Sequence, residues 1–468
     1  MIPLPQTLKR PLPLAVAFFL AVTFGHLVAL PILITWDGHD YIDLAGVLGS
    51  PRFPADWRLL RAPLFPLGLK VSFLIFGRGP LAAELVPLTL AVAGCLLLAS
   101  GVRRIAGERA AAAALALLAL YPALIAFEHA ILTETGTFFF LALMIRLSLW
   151  VPETPGAAWK KALSLGLALA AGTYWRQSLL LLAPWLAVLH VVSFRRRGLA
   201  LAGGQAVLVM LLPWGLQQPW RAELGPQRLS RLNAIVLRSF VVRQAVIPPE
   251  DSRMASVREP YRAAIARADP LSGISWREIP GLAAGMAAPW EQGGTLRWFA
   301  AIVRDHPGRY AGAVGRTLLL FAGFHSAESE IEGDSDLVLS PVIQGSLIAE
   351  GRPLLAEKTR RDFALSTAPG LLRRLLAKLI RPFQWLLIAC NLAAAVLLAL
   401  SLLRRDLGML ALSGTAAVFA LIHALLLLSI DRFMLPVYPV TLACGLVALR
   451  EVWRLYTRLP EDPHVEAK

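Results

Sequence analysis

The sequence predicts an all-α polytopic membrane protein with about ten transmembrane helices and a long, mostly helical external loop domain. Of its 468 residues, 57% are hydrophobic and only 16% are charged, whereas soluble domains carry charge on about a quarter of their residues. Apolar runs of roughly 20 residues, the length that crosses a bilayer, recur along the chain. The excess of 46 Lys and Arg over 31 Asp and Glu lies largely in short loops between these runs. It therefore indicates orientation in the membrane and no nucleic-acid partner.

The N-terminal transmembrane region is predicted to comprise residues 1–216. Lys9 and Arg10 precede the first span and place the N-terminus in the cytoplasm, so the acidic stretch 36–62 forms the first external loop. The apolar piece 64–76 is too short to cross the bilayer and is predicted to lie in its interface. The first four spans are predicted at 12–34, 81–102, 110–127 and 135–150.

The apolar stretch 162–194 is interrupted at Arg176. As one long span it would place the three arginines at 195–197 outside, against the tendency of positive charge to stay in the cytoplasm. Two shorter spans keep these arginines inside, so we predict two, with Arg176 at the external hairpin between them. A further span, 199–216, then leads outward.

Residues 217–381 contain no uninterrupted run of spanning length, and they are predicted to form an external (periplasmic) loop domain. Helices are predicted at 259–268 and 296–304. The apolar segment 309–324 contains two arginines, which favours an interfacial helix over a further span, although both alternatives remain open.

The C-terminal transmembrane region is predicted to comprise residues 382–458, followed by a cytoplasmic tail at 459–468. Its spans are predicted at 383–403, 407–429 and 433–449. Ten spans with both termini in the cytoplasm satisfy every short cluster of positive charge. The three cysteines lie inside apolar runs, so their spacing indicates neither a disulfide framework nor a zinc motif.

On this topology, the ionisable residues that are not cytoplasmic anchors collect at the external ends of spans. They are Asp37, Asp40 and Asp43, then Glu128, His129 and Glu134, then Arg176, and finally Asp431 and Arg432. The arginine fork suits phosphate, and a carboxylate can take a proton from an attacking hydroxyl. The combination predicts a reaction on a phosphorylated, lipid-borne substrate.

These residues resemble motifs of the GT-C superfamily of polyprenyl-phosphate-sugar glycosyltransferases, on the branch of protein mannosyltransferases and lipid A aminoarabinose transferases. Asp37, Tyr41 and Ala45 match the Asp-x-x-x-Tyr-x-x-x-Ala pattern of that branch. Gly38 stands where a second acid is frequent, so Asp40 is its nearest substitute. Other matching positions are Arg61 in Arg-x-Pro-Leu-Phe-Pro, Glu134 after Pro122, Arg176 after a glycine-spaced helix, Pro213-Trp214, and Asp431-Arg432-Phe433, which is one residue shorter than the family pattern.

The resemblance implies an inverting glycosyltransferase of the bacterial inner (plasma) membrane that acts on the external face. It implies a sugar on a polyprenyl phosphate as donor, and a lipid, glycan or protein of the cell envelope as acceptor. Asp37 would be the general base, with Asp40 as the second catalytic candidate. The donor phosphate would be held by Arg176, Arg432, Arg61 and Tyr41, with Glu134, His129 and Asp431 in support. No metal-ligand set is predicted, although a divalent cation is a possible cofactor.

Each assignment has a structural alternative. Glu134 precedes a span, where acids favour the helix N-terminus, and Arg176 or the pair Asp431-Arg432 could bind neighbouring charges. His423, in the middle of a span, is expected to hydrogen-bond a neighbouring helix. For the whole protein, a transporter or flippase of lipid-linked intermediates and a non-catalytic envelope scaffold remain alternatives. A transporter would place ionisable groups near the membrane midplane, whereas here they collect at one face.

Overall fold

The computed structural model describes most of the membrane region and part of the predicted external domain. The described residues are 11–29, 32, 36–49, 62–151, 158–194, 198, 201, 203–204, 207, 237–271, 273–275, 278–286, 294–323, 370–427, 434 and 436–457. Arg61, Asp431 and Arg432 lie outside them, as do the Pro213-Trp214 motif and most of the predicted span 199–216.

Helices form the architecture, and the one strand-like pairing among the described residues is an isolated bridge between Asp269 and Gly273. The first helices are α1 (Pro11–Ala29), α2 (Trp36–Val47), α3 (Leu64–Phe76), α4 (Pro80–Ala106), α5 (Glu108–Ala119), α6 (Pro122–Glu128), α7 (Glu134–Ser148), α8 (Ala158–Trp175) and α9 (Ala183–Phe194). The later helices are α10 (Arg258–Arg267), α11 (Ile279–Gly285), α12 (Thr295–Asp305), α13 (Pro307–Phe321), α14 (Gly370–Arg404), α15 (Leu407–Leu425) and α16 (Tyr438–Tyr456). Short 3-10 helices cover Gln177–Leu182 and Ser252–Val257.

Five of the described helical segments are long and apolar enough to cross a membrane: Pro11–Val28, Pro80–Ala106, Gln177–Phe194, Pro382–Arg404 and Leu407–Leu425. A sixth span results if α5 and α6 are counted together. The predicted class, an all-α polytopic membrane protein, is therefore confirmed. The predicted number of ten spans is not reached by the described residues and stays a prediction.

The predicted span at 110–127 is bent. Helix α5 ends at Ala119, α6 begins at Pro122, and their axes differ by 65°. Proline lacks a backbone N–H and disfavours helical backbone in the residue before it. Tyr121 accordingly is extended, with φ −77° and ψ 109°, and Pro122 opens the next helix at its first position, where proline is favoured.

The acidic stretch predicted as a loop begins instead with helix α2. Asp37 lies in its first turn, where a carboxylate interacts favourably with the helix dipole. The face that carries Asp40, Tyr41 and Leu44 is buried, whereas Asp37 is half-buried. Helix α3 has the predicted bounds 64–76, and the last three side chains of α3 are well exposed and apolar.

Two other helix boundaries differ from the predicted spans, whereas the apolar part of α14 agrees with its prediction. Helix α14 begins at Gly370, but its membrane-crossing segment, Pro382–Arg404, agrees with the predicted span 383–403. Helix α15 ends at Leu425 rather than at 429. Helix α16 begins at Tyr438, five residues after the predicted 433, directly before Pro439. Proline is favoured in a first helical turn because its missing N–H is not needed there.

Small residues allow the helices of the membrane region to approach closely. Gly94 of α4 lies under the ring of Phe138 of α7, and a Cβ at this position would come within 2.8 Å of that ring. Gly445 of α16 similarly lies against Cys390 of α14. Close approach at small residues is the usual way in which helices pack within a bilayer, where burial of apolar surface gives no driving force.

The described part of the predicted external domain has its own apolar core around Trp298, Tyr261 and Ile302. Helix α13 joins this core to the membrane region. Tyr310 of α13 donates its hydroxyl proton to the carbonyl of Leu425 at the end of α15, at 2.7 Å. Gln384 of α14 donates to the carbonyl of Gly323, just after α13, at 2.9 Å. Helix α13 and the residues that follow it thus contact the end of α15 and the interior of α14.

Candidate active site

Ionisable side chains, most of them buried, lie at the ends of six helices. They are His26, Glu84, Glu128, His129, Glu134, Arg176 and His423. They come from the last turns of α1, α6 and α15, the second turn of α4, the first turn of α7, and the residues that follow α6 and α8. Among the sequence-predicted residues, Glu134 pairs with Arg176, whereas His129 pairs with Glu84.

Arg176 forms a buried ion pair with Glu134. Its Nη1 lies 3.2 Å from Oε1 of Glu134, and the two side chains are only 12% and 3% exposed. Arg176 has an extended backbone, with φ −151° and ψ 117°, because the helix α8 ends one residue earlier. Its amide nevertheless donates to the carbonyl of Gly172 at 2.7 Å. A guanidinium has five N–H donors, so pairing with Glu134 is compatible with binding a phosphate.

Trp175 holds this ion pair in place. Its Nε1 donates to the carbonyl of Thr133 at 2.7 Å, next to Glu134 in the chain. The indole ring lies directly on Gly136 of α7, where a Cβ would overlap the ring. Because Trp175 and Arg176 are adjacent, this contact fixes the end of α8 against the start of α7.

A chain of aromatic rings connects α2 to the same point. The ring centroids of Tyr41 and Phe65 are 4.9 Å apart in an edge-on arrangement, and those of Phe65 and Trp175 are 5.0 Å apart. Edge-to-face and tilted pairs at this distance stabilise packing beyond the area they bury. The ring of Tyr41 therefore has a packing role, and its predicted contact with the donor stays a prediction.

The two predicted catalytic acids lie one turn apart on α2. Asp40 is 3% exposed, whereas Asp37 is half-buried in the first turn. Tyr41, the next residue after Asp40, connects this helix to the end of α8 through Phe65 of α3. Asp37 is thus the more accessible of the two carboxylates, and Asp40 the more enclosed.

Glu84 was not singled out by the sequence analysis, although it is the single acid within the predicted span 81–102. Its Oε1 lies against Nδ1 of His129, and both side chains are buried. His26 of α1 is close enough to His129 for their charges to interact. A lone acid near the end of an apolar run was the available signal, since such groups need a partner within the bundle.

His423 lies close enough to Arg176 for electrostatic interaction. Its Nδ1 is 2.9 Å from the carbonyl of Phe419 in its own helix, and its ring stacks on Phe419 at 4.0 Å. The predicted hydrogen bond to a neighbouring helix is therefore not the contact observed for Nδ1. The carbonyl one turn earlier is the nearer acceptor, because residues four apart face each other on a helix.

The described residues include only part of the predicted phosphate-binding set. Arg176 is its one described arginine, since Arg61 and Arg432 lie outside the described ranges. Within those ranges, no group of three His, Cys, Asp or Glu side chains could hold a metal ion. The candidate site consists of the Glu134–Arg176 ion pair, the Glu84–His129 pair, and Asp37 and Asp40 of α2.

No family model and no curated protein matches the chain. Among solved structures, it is similar to ArnT from Cupriavidus metallidurans in the apo state, with 16% identity and a TM-score of 0.38 over 94% of this chain and 77% of ArnT. ArnT bound to undecaprenyl phosphate gives the same identity and TM-score, over 95% of this chain and 78% of ArnT.

The chain is also similar to the Archaeoglobus fulgidus oligosaccharyltransferase in complex with Zn and sulfate. The identity is 12% and the TM-score 0.47, over 94% of this chain. The chain spans about half of that protein, since the match covers 49% of it.

Proposed function

We propose that this protein is a membrane glycosyltransferase that moves a sugar from a polyprenyl-phosphate donor to an acceptor of the cell envelope. The observation that carries the proposal is the buried Glu134–Arg176 ion pair, which is connected through Trp175 and Phe65 to the helix that carries Asp37 and Asp40. A cation suited to phosphate and a carboxylate suited to proton removal are the two groups that such a transfer requires. The sequence motifs of Asp37, Tyr41, Glu134 and Arg176 add support, because they resemble one superfamily.

In the proposed reaction, the oxygen of an acceptor hydroxyl attacks the anomeric carbon of the sugar from the face opposite the phosphate. The bond between that carbon and the phosphate oxygen breaks, and its electron pair leaves with the polyprenyl phosphate. The anomeric configuration is therefore inverted. Asp37 takes the hydroxyl proton as general base, and Asp40 orients neighbouring groups on α2.

Arg176 stabilises the leaving phosphate as its negative charge grows. Its guanidinium is nearly buried, and charges interact more strongly where water is excluded. Glu134 holds the guanidinium in position, while Arg432 and Arg61 are proposed to complete the phosphate site. His129 and Asp431 support these groups.

The proposed setting is the bacterial inner membrane, with both termini in the cytoplasm and the site on the external face. Residues 217–381 form the external domain that covers the site and selects a lipid, glycan or protein acceptor. Helix α13 contacts the end of α15, and the residues that follow it contact Gln384 within α14. We propose that α13 lies in the membrane interface and connects this domain to the site.

The decisive experiment compares Asp37→Asn with Asp40→Asn in nanodiscs that contain a synthetic polyprenyl-phosphate sugar and a cell-envelope extract. Release of polyprenyl phosphate measures transfer, and donor binding is measured on the same preparations. Removal of a general base lowers the rate by a factor of about 100 to 10,000, so Asp37→Asn should lose turnover and keep donor affinity. Asp40→Asn should cost much less.

Asp43→Asn is the matched control, because Asp43 is a third carboxylate on the same helix. It should keep nearly all activity. Full turnover by Asp37→Asn would exclude Asp37 as the base. Full turnover by the Asp37/Asp40 double variant would exclude the proposed mechanism, and donor movement across the bilayer without transfer would favour a flippase.

A further inference from the structure

The Glu84–His129 pair makes or breaks no bond in the reaction above, in which His129 has only a supporting role. Both side chains are buried, at 7% and 1% exposure, and Nδ1 of His129 contacts Oε1 of Glu84. The pair joins α4 to the end of α6, five residues before Glu134. A five-residue segment spans at most about 17 Å, so the pair lies within reach of a molecule whose phosphate contacts Arg176.

The contact with Glu84 determines which nitrogen of His129 carries the proton. An ionised carboxylate only accepts hydrogen bonds, so Nδ1 carries the hydrogen and donates it. In the neutral imidazole, Nε2 then keeps its lone pair and acts as an acceptor. The partner of one ring nitrogen thus sets the chemistry of the other.

Nε2 of His129 is buried and has no hydrogen-bond partner among the described residues. Nδ1 of His26, the neighbouring imidazole, is likewise buried without one among them. A buried acceptor without a donor costs free energy, so such atoms are normally satisfied by water or by a ligand. Nε2 is therefore a point at which a bound molecule would find a partner.

The charged side chains around Nε2 determine which chemical group of a ligand it can bind. Glu84 contacts the same ring, Glu128 is the preceding residue and is buried, and Glu134 follows in the next helix. Arg176, the arginine of the candidate site, is already paired with Glu134. A lone pair beside carboxylates repels a phosphate and attracts a hydrogen-bond donor. Of the three parts of a polyprenyl-phosphate sugar, the sugar is the part rich in neutral donors.

We propose that Nε2 of His129 accepts a hydrogen bond from a hydroxyl group of the donor sugar. His129 is thereby a sugar-binding residue, and Glu84 is the positioning residue that presents it. This inference rests on the proposed function, since it requires a sugar attached to the phosphate that Arg176 binds. Within the head group of the donor, Arg176 then binds the phosphate and His129 binds the sugar.

Two substitutions of His129 distinguish the roles of its two ring nitrogens. The side-chain amide of Asn reaches the position of Nδ1 and can donate to Glu84, but it leaves the position of Nε2 empty. The amide of Gln reaches the position of Nε2, where its oxygen can accept. His129→Asn should therefore lose the sugar contact while keeping the contact with Glu84, whereas His129→Gln should retain an acceptor.

The experiment measures binding of decaprenyl phosphate alone and of decaprenyl phosphate carrying a pentose or a hexose, to the full chain in nanodiscs. His129→Asn should bind the preferred sugar-bearing lipid about tenfold more weakly, the value of one hydrogen bond to a neutral group. It should bind decaprenyl phosphate like the wild type. His129→Gln should lie between the two, and a donor lacking the contacted hydroxyl should bind His129→Asn and wild type equally.

The positioning role of Glu84 is tested by the ¹⁵N resonance of the His129 imidazole. In protein labelled with ¹⁵N in histidine, Nε2 of His129 should show the resonance of an unprotonated nitrogen. That resonance should shift on addition of the sugar-bearing lipid and stay in place with decaprenyl phosphate. Glu84→Gln should change it in the lipid-free protein. A resonance insensitive to Glu84→Gln would exclude the positioning role.

His190→Asn is the matched control, because His190 is an equally buried histidine in α9. It should bind both lipids like the wild type. Equal affinity of wild type and His129→Asn for every sugar-bearing lipid would overturn the inference and assign Nε2 to a buried water. Failure of the wild type to bind either lipid would instead contradict the proposed function, so the two failures are distinguishable.

Discussion

Arg176 contributes to the fold through its ion pair, and the proposed function gives the same residue a second role in binding the donor phosphate. Its ion pair with Glu134 is buried, and breaking a buried pair is strongly destabilising because one charge is left without compensation. Arginine and lysine differ at such a position, since only the guanidinium forms a planar fork for two parallel hydrogen bonds. The identity of the side chain should therefore matter more than its charge.

Arg176→Lys tests this difference. We expect the variant to fold, because a cation remains beside Glu134, and to bind polyprenyl phosphate at least about tenfold more weakly, because the bidentate contact is lost. Binding to nanodiscs measures the effect. Arg304→Lys is the control, since the side chain of Arg304 is 79% exposed. Unchanged affinity in Arg176→Lys and Arg432→Ala would leave both arginines as structural partners.

Helix α7 positions the site through a glycine. Gly136 accommodates the ring of Trp175, and the neighbouring Thr133 carbonyl accepts its N–H at 2.7 Å. Any side chain at Gly136 would push the indole away, and Arg176 follows Trp175 directly. The geometry of the arginine thus depends on the absence of a Cβ one helix away.

Gly136→Ala should destabilise the protein by about 1–3 kcal/mol, the usual cost of overpacking, and should weaken polyprenyl-phosphate binding. Gly101→Ala on α4 is the control, because a Cβ there meets neighbours at 3.5 Å or more. It should be neutral or stabilising by about 0.5–1 kcal/mol. Thermal unfolding and lipid binding are measured together. Equal stability of the two variants would show that Trp175 can move without penalty.

The described part of the proposed external domain is stabilised by a charge cluster where α12 meets α13. Asp251 accepts hydrogen bonds from Nη2 of Arg253 at 2.6 Å and from Nε2 of His306 at 2.9 Å. The hydrogen bond from Arg253 is the main cause that holds the pKa of Asp251 well below its usual range. The hydrogen bond from His306 is a smaller cause in the same direction. Asp251 therefore stabilises the native state while it is ionised.

Acid should weaken this cluster in a predictable direction. A carboxyl with a depressed folded-state pKa contributes fully above its unfolded pKa of about 3.9, and the contribution is lost as the pH falls below that value. Thermal unfolding between pH 6 and pH 3 should show a steeper loss in the wild type than in Asp251→Asn. Glu259→Gln, at an exposed ion pair, should follow the wild type. Parallel curves for wild type and Asp251→Asn would contradict the assignment.

Element boundaries were predictable where hydrophobic length alone decides them. The short helix α3, the helices of the external domain near 259–268 and 296–304, and the break at Arg176 follow from such patterns. The bend at Pro122 was missed because the run 110–127 is apolar throughout and masks the proline signal. Helix α2 was missed because its acids were interpreted as a solvated loop, although Asp37 suits a helix N-terminus.

The site was predictable in part for a similar reason. Glu134, His129 and Arg176 lie at the ends of apolar runs, where a charge is conspicuous in the sequence. Their pairing was not predictable from the sequence. Glu134 and Arg176 are separated by 42 residues, and Glu84 and His129 are separated by 45. Such contacts depend on how helices pack, which no local pattern encodes.

At the scale of the whole molecule, the alternation of helix direction explains the buried charge group. His26 and Glu128 end their helices, whereas Glu84 and Glu134 begin theirs. Antiparallel crossings bring the end of one helix beside the start of the next, so these side chains meet at one face. Arg104 lies near the other end of α4, and Arg405 directly follows α14. If these positive charges lie in the cytoplasm, the face with the charge group is external.

Reporter fusions along the chain test this orientation. Fusions after Arg104, Lys161, Arg197 and Arg405 should report the cytoplasm, and fusions within 221–305 should report the outside. The fusion after Arg197 is the most informative. The break between α8 and the 3-10 helix is compatible with two short spans, but the segment Gln177–Phe194 is also long enough to cross alone.

A cytoplasmic signal after Arg197 would place the ion pair of Arg176 at the external face, where a lipid-borne donor and an envelope acceptor can meet. An external signal there would exclude the two-span arrangement and move Arg176 towards the middle of the membrane. An ion pair at that depth is characteristic of a transport pathway.

Lys161→Ala provides an internal check, because the buried Nζ of Lys161 donates to the carbonyl of Ser148 at 2.6 Å. Loss of that contact should lower stability without reversing the signal after Arg197, since the neighbouring arginines continue to anchor the same side.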